Sequence, residues 1–446
     1  MKSKQAIMLI AVGIAVVILI GAGILILARN NDDGTEGLHV VTTFYPLHFL
    51  ASQIGGDRAS ISMLIPENIE PHVWEPKVSD ILKVDRSDIF IYNGGGFEPW
   101  VKDFIGSSQN NDLLIVDTSE NVGLQMSAEV MEMIGDVEEH LSEGPFENVQ
   151  ATAAESSAPA IGPANTCRNV TLHAGSGLRK GYIKLHSEED AEYIVATATT
   201  VSFTITSNGV ALEPEMSIDP SSQYPGVAIL RVFDMEPGDF IISISSTSAG
   251  TFGFVFMEKH HDEGGDEHEH GHGLNDPHFW LDPVLAMVQV DNIAKGFSEA
   301  DPEHAVEYAS NAVSLKDRLN KLDSDFKEGL KDRKKNDIIT THEGFNYLAK
   351  RYGFETRSAI GISGDEQPSI NDIANLVRMI EEKDLGYIFV EPVYSDQYME
   401  TVSDETGADI LILDGLHGRM GAHADMDYFE IMYENLRNLR IGLEAE

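Results

Sequence analysis

Residues 38–57, LHVVTTFYPLHFLASQIGGD, read as a strand, a turn and a helix. The same alternation continues through the next sixty residues. RASISMLIP (58–66) is a second strand, and KVSDILKVDRSD (77–88) places Val78, Ile81 and Leu82 at helical spacing. DIFIYN (88–93) is a third strand, followed by the turn Gly94-Gly95-Gly96 and a helix start at EPWVKDFI (98–105). DLLIVD (112–117) is a fourth strand. Strands alternating with helices predict a parallel, right-handed α/β lobe over 38–122.

A second lobe of the same class is expected over 336–446, in DIITTHEGFNYLAKRYGF (337–354), DIANLVRMIEEKDLGYIFVEP (372–392) and QYMETVSDETGADILILDGLHG (397–418), closed by a helix at 428–443. Between the lobes the texture changes. Residues 123–164 read as a linker containing one short helix, AEVMEMI (128–134), and the small-residue stretch ATAAESSAPAIGPAN (151–165). Residues 165–258 carry about seven short β-rich runs broken by Gly, Pro, Ser and Asn, the pattern of an inserted all-β, sandwich-like domain. A His/acid-rich loop follows at 259–274, then a return segment and long linking helix at 275–335. Asp301 is the expected N-cap of that helix and Pro302 its first residue. Its apolar stripe is Leu315, Leu319, Leu322, Phe326 and Leu330, and from 302 to 333 it would run about 48 Å.

The 446-residue chain has a formal net charge of −42. That repels a phosphate backbone, so no nucleic-acid partner is expected. The single cysteine, Cys167, excludes a disulfide framework, a Cys-rich zinc site and an iron–sulfur cluster. Any metal site must use His, Asp and Glu. Residues 1–37 read as a membrane anchor and linker, because 6–28 form an unbroken apolar run long enough to cross a bilayer. Lys2 and Lys4 before it orient the bulk of the chain to the outside as a single-pass protein. A cleaved signal peptide is the alternative. Asn169-Val170-Thr171 is a glycosylation sequon on that side.

Open α/β sheets bind ligands beyond the carboxyl ends of their strands. Three residues occupy such places in the second lobe: His342, Glu391 and Asp414. His72 lies in the loop after the second strand, and His278 where the chain re-enters from the β region. His417 and His423 stand near Asp414, where either could replace a ligand or lie idle. Upstream, His260, His261, His268, His270 and His272 form a tract without an apolar anchor, suited to low-affinity collection of metal. Imidazole donors suit zinc, whereas manganese prefers more oxygen.

EPHVWEPKVSD (70–80), NDPHFWLDP (275–283), THEGFNYLAKRYGF (341–354) and LILDGLHG (411–418) resemble the metal-binding solute receptors of ABC transporters, the zinc- and manganese-uptake (cluster A-I) family. Supporting matches are NGGGFEPW (93–100), VDTSENV (116–122), GISGDEQPSINDIANLV (361–377) and FVEP (389–392). The resemblance covers 38–122 and 275–446 in the family's order and leaves out the anchor and the β region. It implies two α/β lobes joined by one long helix, with the ion in the cleft between them. It also implies His72, His278, His342 and Asp414 as ligands, with Glu391 as their partner or an alternative ligand. Manganese-type members tend to have glutamate where this chain has His342, so Zn2+ is the implied cargo and Mn2+ or iron the alternative. The implied protein is a monomeric, non-enzymatic receptor serving an ABC permease with its ATPase. A metalloenzyme with Glu391 as general base, or an adhesin working through its β region, are the readings from other classes.

Overall fold

The computed structural model describes residues 37–142, 146–173, 178–220, 224–259, 274–361, 368–395 and 397–445. The apolar run 6–28 and the tract holding His260, His261, His268, His270 and His272 lie outside these residues. Among the described residues no helix is long and apolar enough to cross a membrane.

The first lobe is a four-stranded parallel sheet. Its strands are Leu38–Thr42, Ala59–Met63, Ile89–Tyr92 and Leu114–Asp117, with the first strand between the second and third. Helix Tyr45–Gly55 follows the first strand directly and buries Leu47, Leu50, Ala51 and Ile54, so one face of the sheet is covered at once. The second lobe has two parallel strand pairs, Asp337–His342 with Glu355–Ile360 and Tyr387–Val390 with Asp409–Ile412. Its helices are Asn346–Tyr352, Ile370–Lys383, Gln397–Thr406 and Tyr428–Gly442. The α/β class with two lobes is the architecture observed.

Two helices join the lobes, Pro283–Ala300 and Ala305–Gly329. The expected start at Pro302 falls in a 3-10 turn, Pro302–His304, so the second helix is about 37 Å long rather than 48 Å. Asp301 turns its carboxylate to Tyr308 Oη (2.7 Å) and His304 Nδ1 (2.7 Å) and caps no backbone N–H. The stripe Leu315, Leu319, Leu322, Phe326 and Leu330 is buried throughout. It packs against Tyr45–Gly55 of the first lobe and Tyr428–Gly442 of the second. Val40, Phe90, Leu319, Phe389 and Leu439 therefore belong to one continuous core.

The chain between Gln125 and Asp276 leaves and returns at one place. Met126 bridges Asn275, Ser127 N–H donates to the Leu274 carbonyl (3.2 Å), and Asp276 N–H donates to the Gln125 carbonyl (3.0 Å). Tyr347 of the second lobe seals this stem, donating its hydroxyl to the Asp276 carbonyl (2.9 Å) and accepting from Gln125 N–H (2.8 Å). Inside it lie a five-stranded and a six-stranded sheet. Ile183, Leu185 and Ile242 of the first share a core with Val170, Val195, Phe233 and Phe254 of the second.

The 123–164 stretch differs from the linker expected of it. It carries helix Ala128–Ser142 and strands Glu147–Gln150 and Ala160–Ile161. The helix forms because Val130, Met133, Ile134 and Val137 make one apolar stripe. That stripe packs on Ile194, Val232 and Val255. The two strands add to the edges of the two sheets, where short segments suffice.

Candidate metal centre

His72, His278, His342 and His417 each offer one ring nitrogen, and the four nitrogens lie within 4.8 Å of one another. Each comes from a different segment of the chain. His72 sits in the segment after strand Ala59–Met63, and His278 just before the 3-10 turn Phe279–Leu281. His342 is the last residue of strand Asp337–His342, and His417 lies in the loop after Asp409–Ile412. His278 and His342 are fully buried, His417 nearly so, and His72 is the partly exposed member.

His278 Nε2 stands 3.1 Å from His72 Nε2 and 3.1 Å from His342 Nε2. Two carboxylates orient these rings. Asp276 Oδ1 accepts from His278 Nδ1 (2.8 Å) and from the His278 backbone N–H (2.9 Å). Glu391 Oε1 is hydrogen-bonded to His342 Nδ1. When Nδ1 carries the proton, Nε2 presents a lone pair. The lone pairs then point at one another, an arrangement a cation between them stabilises. Tetrahedral zinc with Zn–N of about 2.0–2.1 Å separates its donors by about 3.3 Å, close to the spacings here.

Unpaired buried atoms point the same way. Neither ring nitrogen of His417 has a hydrogen-bond partner, nor has Glu391 Oε2. These two groups face each other with His417 Nδ1 3.9 Å from Glu391 Oε2, too far for a hydrogen bond. An unsatisfied buried imidazole costs stability, and a bound metal satisfies it. Gly415 is required here by close approach: a Cβ on it would meet Glu391 Oε2 at 2.6 Å and His417 Nδ1 at 2.8 Å.

Burial keeps the imidazoles neutral. Desolvation drives His72 and His417 well below the ordinary histidine range, reinforced by the neighbouring histidines. His342 falls to about 3 through desolvation. His278 is lowered by desolvation against the opposing pull of Asp276. Desolvation, opposed by His278 and helped by Asp414, pushes Glu391 well above the ordinary carboxylate range. Four neutral imidazoles are the protonation state a transition metal needs.

Asp414, the carboxylate expected among the ligands, is turned away from this cluster. Its Oδ2 faces His423 Nδ1 at 2.6 Å, and its Oδ1 accepts from Leu416 N–H at 2.7 Å. Asn435 holds its backbone from both sides, accepting from Asp414 N–H (2.8 Å) and donating to its carbonyl (2.8 Å). The Asp414–Leu416 bond tightens the loop, and Leu416 takes a left-handed conformation (φ 60°). The next residue, His417, is thereby directed into the cluster. Sequence reasoning had His417 as an alternative only. No spacing in the sequence favours it over Asp414, because the choice rests on the Asp414–Leu416 bond and the left-handed Leu416.

The aromatic residues of the motifs build the walls. The Phe97 ring lies 4.7 Å from His72 and 5.0 Å from Trp280, and the Tyr394 ring 4.7 Å from His342, measured between centroids. Trp280 Nε1–H donates to the Gly415 carbonyl (2.8 Å), and Tyr428 donates to the Trp280 carbonyl (2.7 Å). Among the described residues no other group of three or more His, Cys, Asp or Glu side chains could hold a metal.

Comparison with known proteins places this geometry in context. The sequence model of the ZnuA family, described as zinc-uptake complex component A, periplasmic, matches residues 40–166 and 204–442. The match extends into the β region, beyond the span of the motifs. The chain is similar to the high-affinity zinc uptake system protein ZnuA of Bacillus subtilis, 25% identical over 435 residues, which are 95% of this chain and 96% of that protein. It is also 25% identical over 408 residues to the zinc-binding protein AdcA of Streptococcus pyogenes, covering 91% of this chain but 56% of that protein. The chain thus spans little more than half the length of the streptococcal relative. Among solved structures it resembles the laminin-binding protein Lbp of Streptococcus pyogenes, with TM-score 0.54 and 18% identity over 91% of this chain and 100% of that one. It also resembles Zn(II)-bound AdcA of Streptococcus pneumoniae, with TM-score 0.54 and 20% identity over 92% of this chain and 58% of that one. At these identities the structures show a shared fold.

Proposed function

The chain belongs to the ZnuA family of zinc-uptake components and is, on that membership, a zinc-binding solute receptor rather than an enzyme; we propose that it holds Zn2+ between its lobes through His72, His278, His342 and His417 and delivers the ion to an ABC permease. The observation that carries the ligand set is the convergence of four imidazole nitrogens within 4.8 Å, one of them on a histidine whose two ring nitrogens are otherwise unpaired. In this reading His417 replaces Asp414 as fourth ligand, and Asp414 positions it. Asp276 and Glu391 fix the rings of His278 and His342, and their negative charge offsets that of the ion. Four protein ligands close the tetrahedral shell and leave no position for an activated water, which suits carriage of the ion.

The protein works outside the cytoplasmic membrane, tethered by the apolar run 6–28, with the His-rich tract at 260–272 feeding the site at low affinity. The two sheets between Gln125 and Asp276 form an inserted sandwich-like domain that the receptor fold accommodates at a single stem. The test is metal analysis and competition titration of the full chain. One tightly held zinc is expected, and it should be lost when His72, His278 and His342 are replaced together. Retention of that zinc would overturn the site.

A further inference from the structure

The loops that carry His72 and His417 belong to different lobes, and side chains beside those ligands tie them together. Glu67 lies five residues before His72, and Arg419 two residues after His417. Arg419 grips Glu67 with both edges of its guanidinium, Nε to Oε2 at 3.0 Å and Nη2 to Oε1 at 2.8 Å. The same guanidinium lies over the Tyr45 ring, 5.1 Å from its centroid. A second bond crosses nearby, from Tyr394 Oη to Glu70 Oε1 at 3.3 Å. The backbones are also in contact: a Cβ on Gly418 would collide with the Glu67 carbonyl oxygen, so only glycine lets the two loops close to this distance.

The clasp is more exposed than the Trp280–Gly415 bond. The Trp280–Gly415 bond is buried. The Glu67 and Arg419 side chains remain 30% and 34% exposed. His72 is likewise the partly exposed ligand, while His278, His342 and His417 are buried. Solvent thus reaches the cluster on the side of the His72 loop, the loop that Arg419 holds.

We infer that the Glu67–Arg419 pair is the latch that sets the rate of metal release. It rests on the receptor reading above. With the pair intact, the His72 loop stays docked on the His417 loop and the shell stays closed. A partner that offers a competing carboxylate to Arg419, or a cation to Glu67, opens the loop without touching a ligand. A bidentate pair stacked on an aromatic ring holds geometry better than an ordinary exposed ion pair, whose contribution is small.

The test is the rate at which excess chelator strips zinc from the full chain, followed by stopped flow. Glu67→Gln and Arg419→Gln should each speed release by about 5-fold, and the double variant should be no faster than the singles, because one interaction is lost in all three. The charge-exchanged pair Glu67→Arg with Arg419→Glu should release zinc more slowly than either single variant but faster than the parent, because its guanidinium no longer lies over Tyr45. Melting of the metal-free variants checks that each has folded. Release unchanged in both folded single variants, or effects that add in the double, would overturn the latch while leaving the receptor reading intact. A parent chain that holds no zinc would overturn both.

Discussion

His417 and Asp414 are three residues apart on one loop, yet His417 faces three other histidines while Asp414 faces His423 at 2.6 Å. The two should answer differently to substitution. His417→Ala removes a metal donor, and zinc affinity should fall by more than about 100-fold. Asp414→Asn keeps an acceptor for Leu416 N–H and loses the pairing with His423, so affinity should fall by about 10-fold. Competition titration against a zinc chelator measures both. The reverse order would restore Asp414 as the ligand.

Glu391 predicts proton release on metal binding. Burial pushes its carboxyl well above the ordinary range, so as pH falls the metal-free protein takes a proton onto the Glu391–His342 pair at higher pH than an ordinary carboxylate would. Zinc at His342 Nε2 requires the ring to retain only its Nδ1 proton, and Glu391 then becomes the charged acceptor. The number of protons the pair releases per zinc should therefore grow as pH falls from neutral. Calorimetry in buffers of different ionisation enthalpy reads this number. Glu391→Gln should bring it close to zero, and an unchanged value would show that the proton comes from elsewhere.

His342 also carries a signature in stability. Its folded value, about 3, lies below the unfolded histidine value of about 6.5, so between these the unfolded chain binds the extra proton. Its contribution is complete above pH 6.5 and is lost as pH falls toward about 3. His423 has the opposite sign, because Asp414 raises it; its contribution is complete below about 6.5 and fades as pH rises through the folded value. In the metal-free protein, His342→Gln should flatten the decline in denaturant stability between about pH 6.5 and 5, and His423→Gln should flatten a loss of stability as pH rises above about 6.5.

The cores predict how the molecule melts. Leu319 belongs to the core shared by both lobes, and Ile183 to the separate core between the two sheets. Either side chain cut to alanine should cost about 2–5 kcal/mol. Scanning calorimetry should show Leu319→Ala lowering the transition that zinc raises, and Ile183→Ala lowering a different one. A single transition moved equally by both would mean that the β region and the lobes unfold as one unit.

Much of the site was legible because periodic strands end where ligands gather. His342 and Glu391 could be placed by counting from DIIT and YIFV, and both stand at the cluster. What could not be counted was the turn after Asp409–Ile412. Which of Asp414 and His417 points inward depends on a side-chain bond to Leu416 N–H and on a positive φ at Leu416, and neither leaves a period in the sequence. The helix at 128–142 could have been read whole from Val130, Met133, Ile134 and Val137. Strands Glu147–Gln150 and Ala160–Ile161 could not, because each is short and pairs in parallel with a partner beyond its neighbours' reach. The break at Asp301–His304 was marked by Asp-Pro, but the long stripe beyond it gave no reason to shorten the helix.

The central claim is a shell of four imidazoles. Zinc K-edge X-ray absorption on the zinc-loaded full chain tests it most directly. The account predicts four nitrogen donors at about 2.0–2.1 Å with the multiple-scattering pattern of imidazole from all four, and loss of one imidazole in His417→Ala. Three imidazoles and one carboxylate oxygen in the parent, unchanged in His417→Ala and altered in Asp414→Asn, would contradict it.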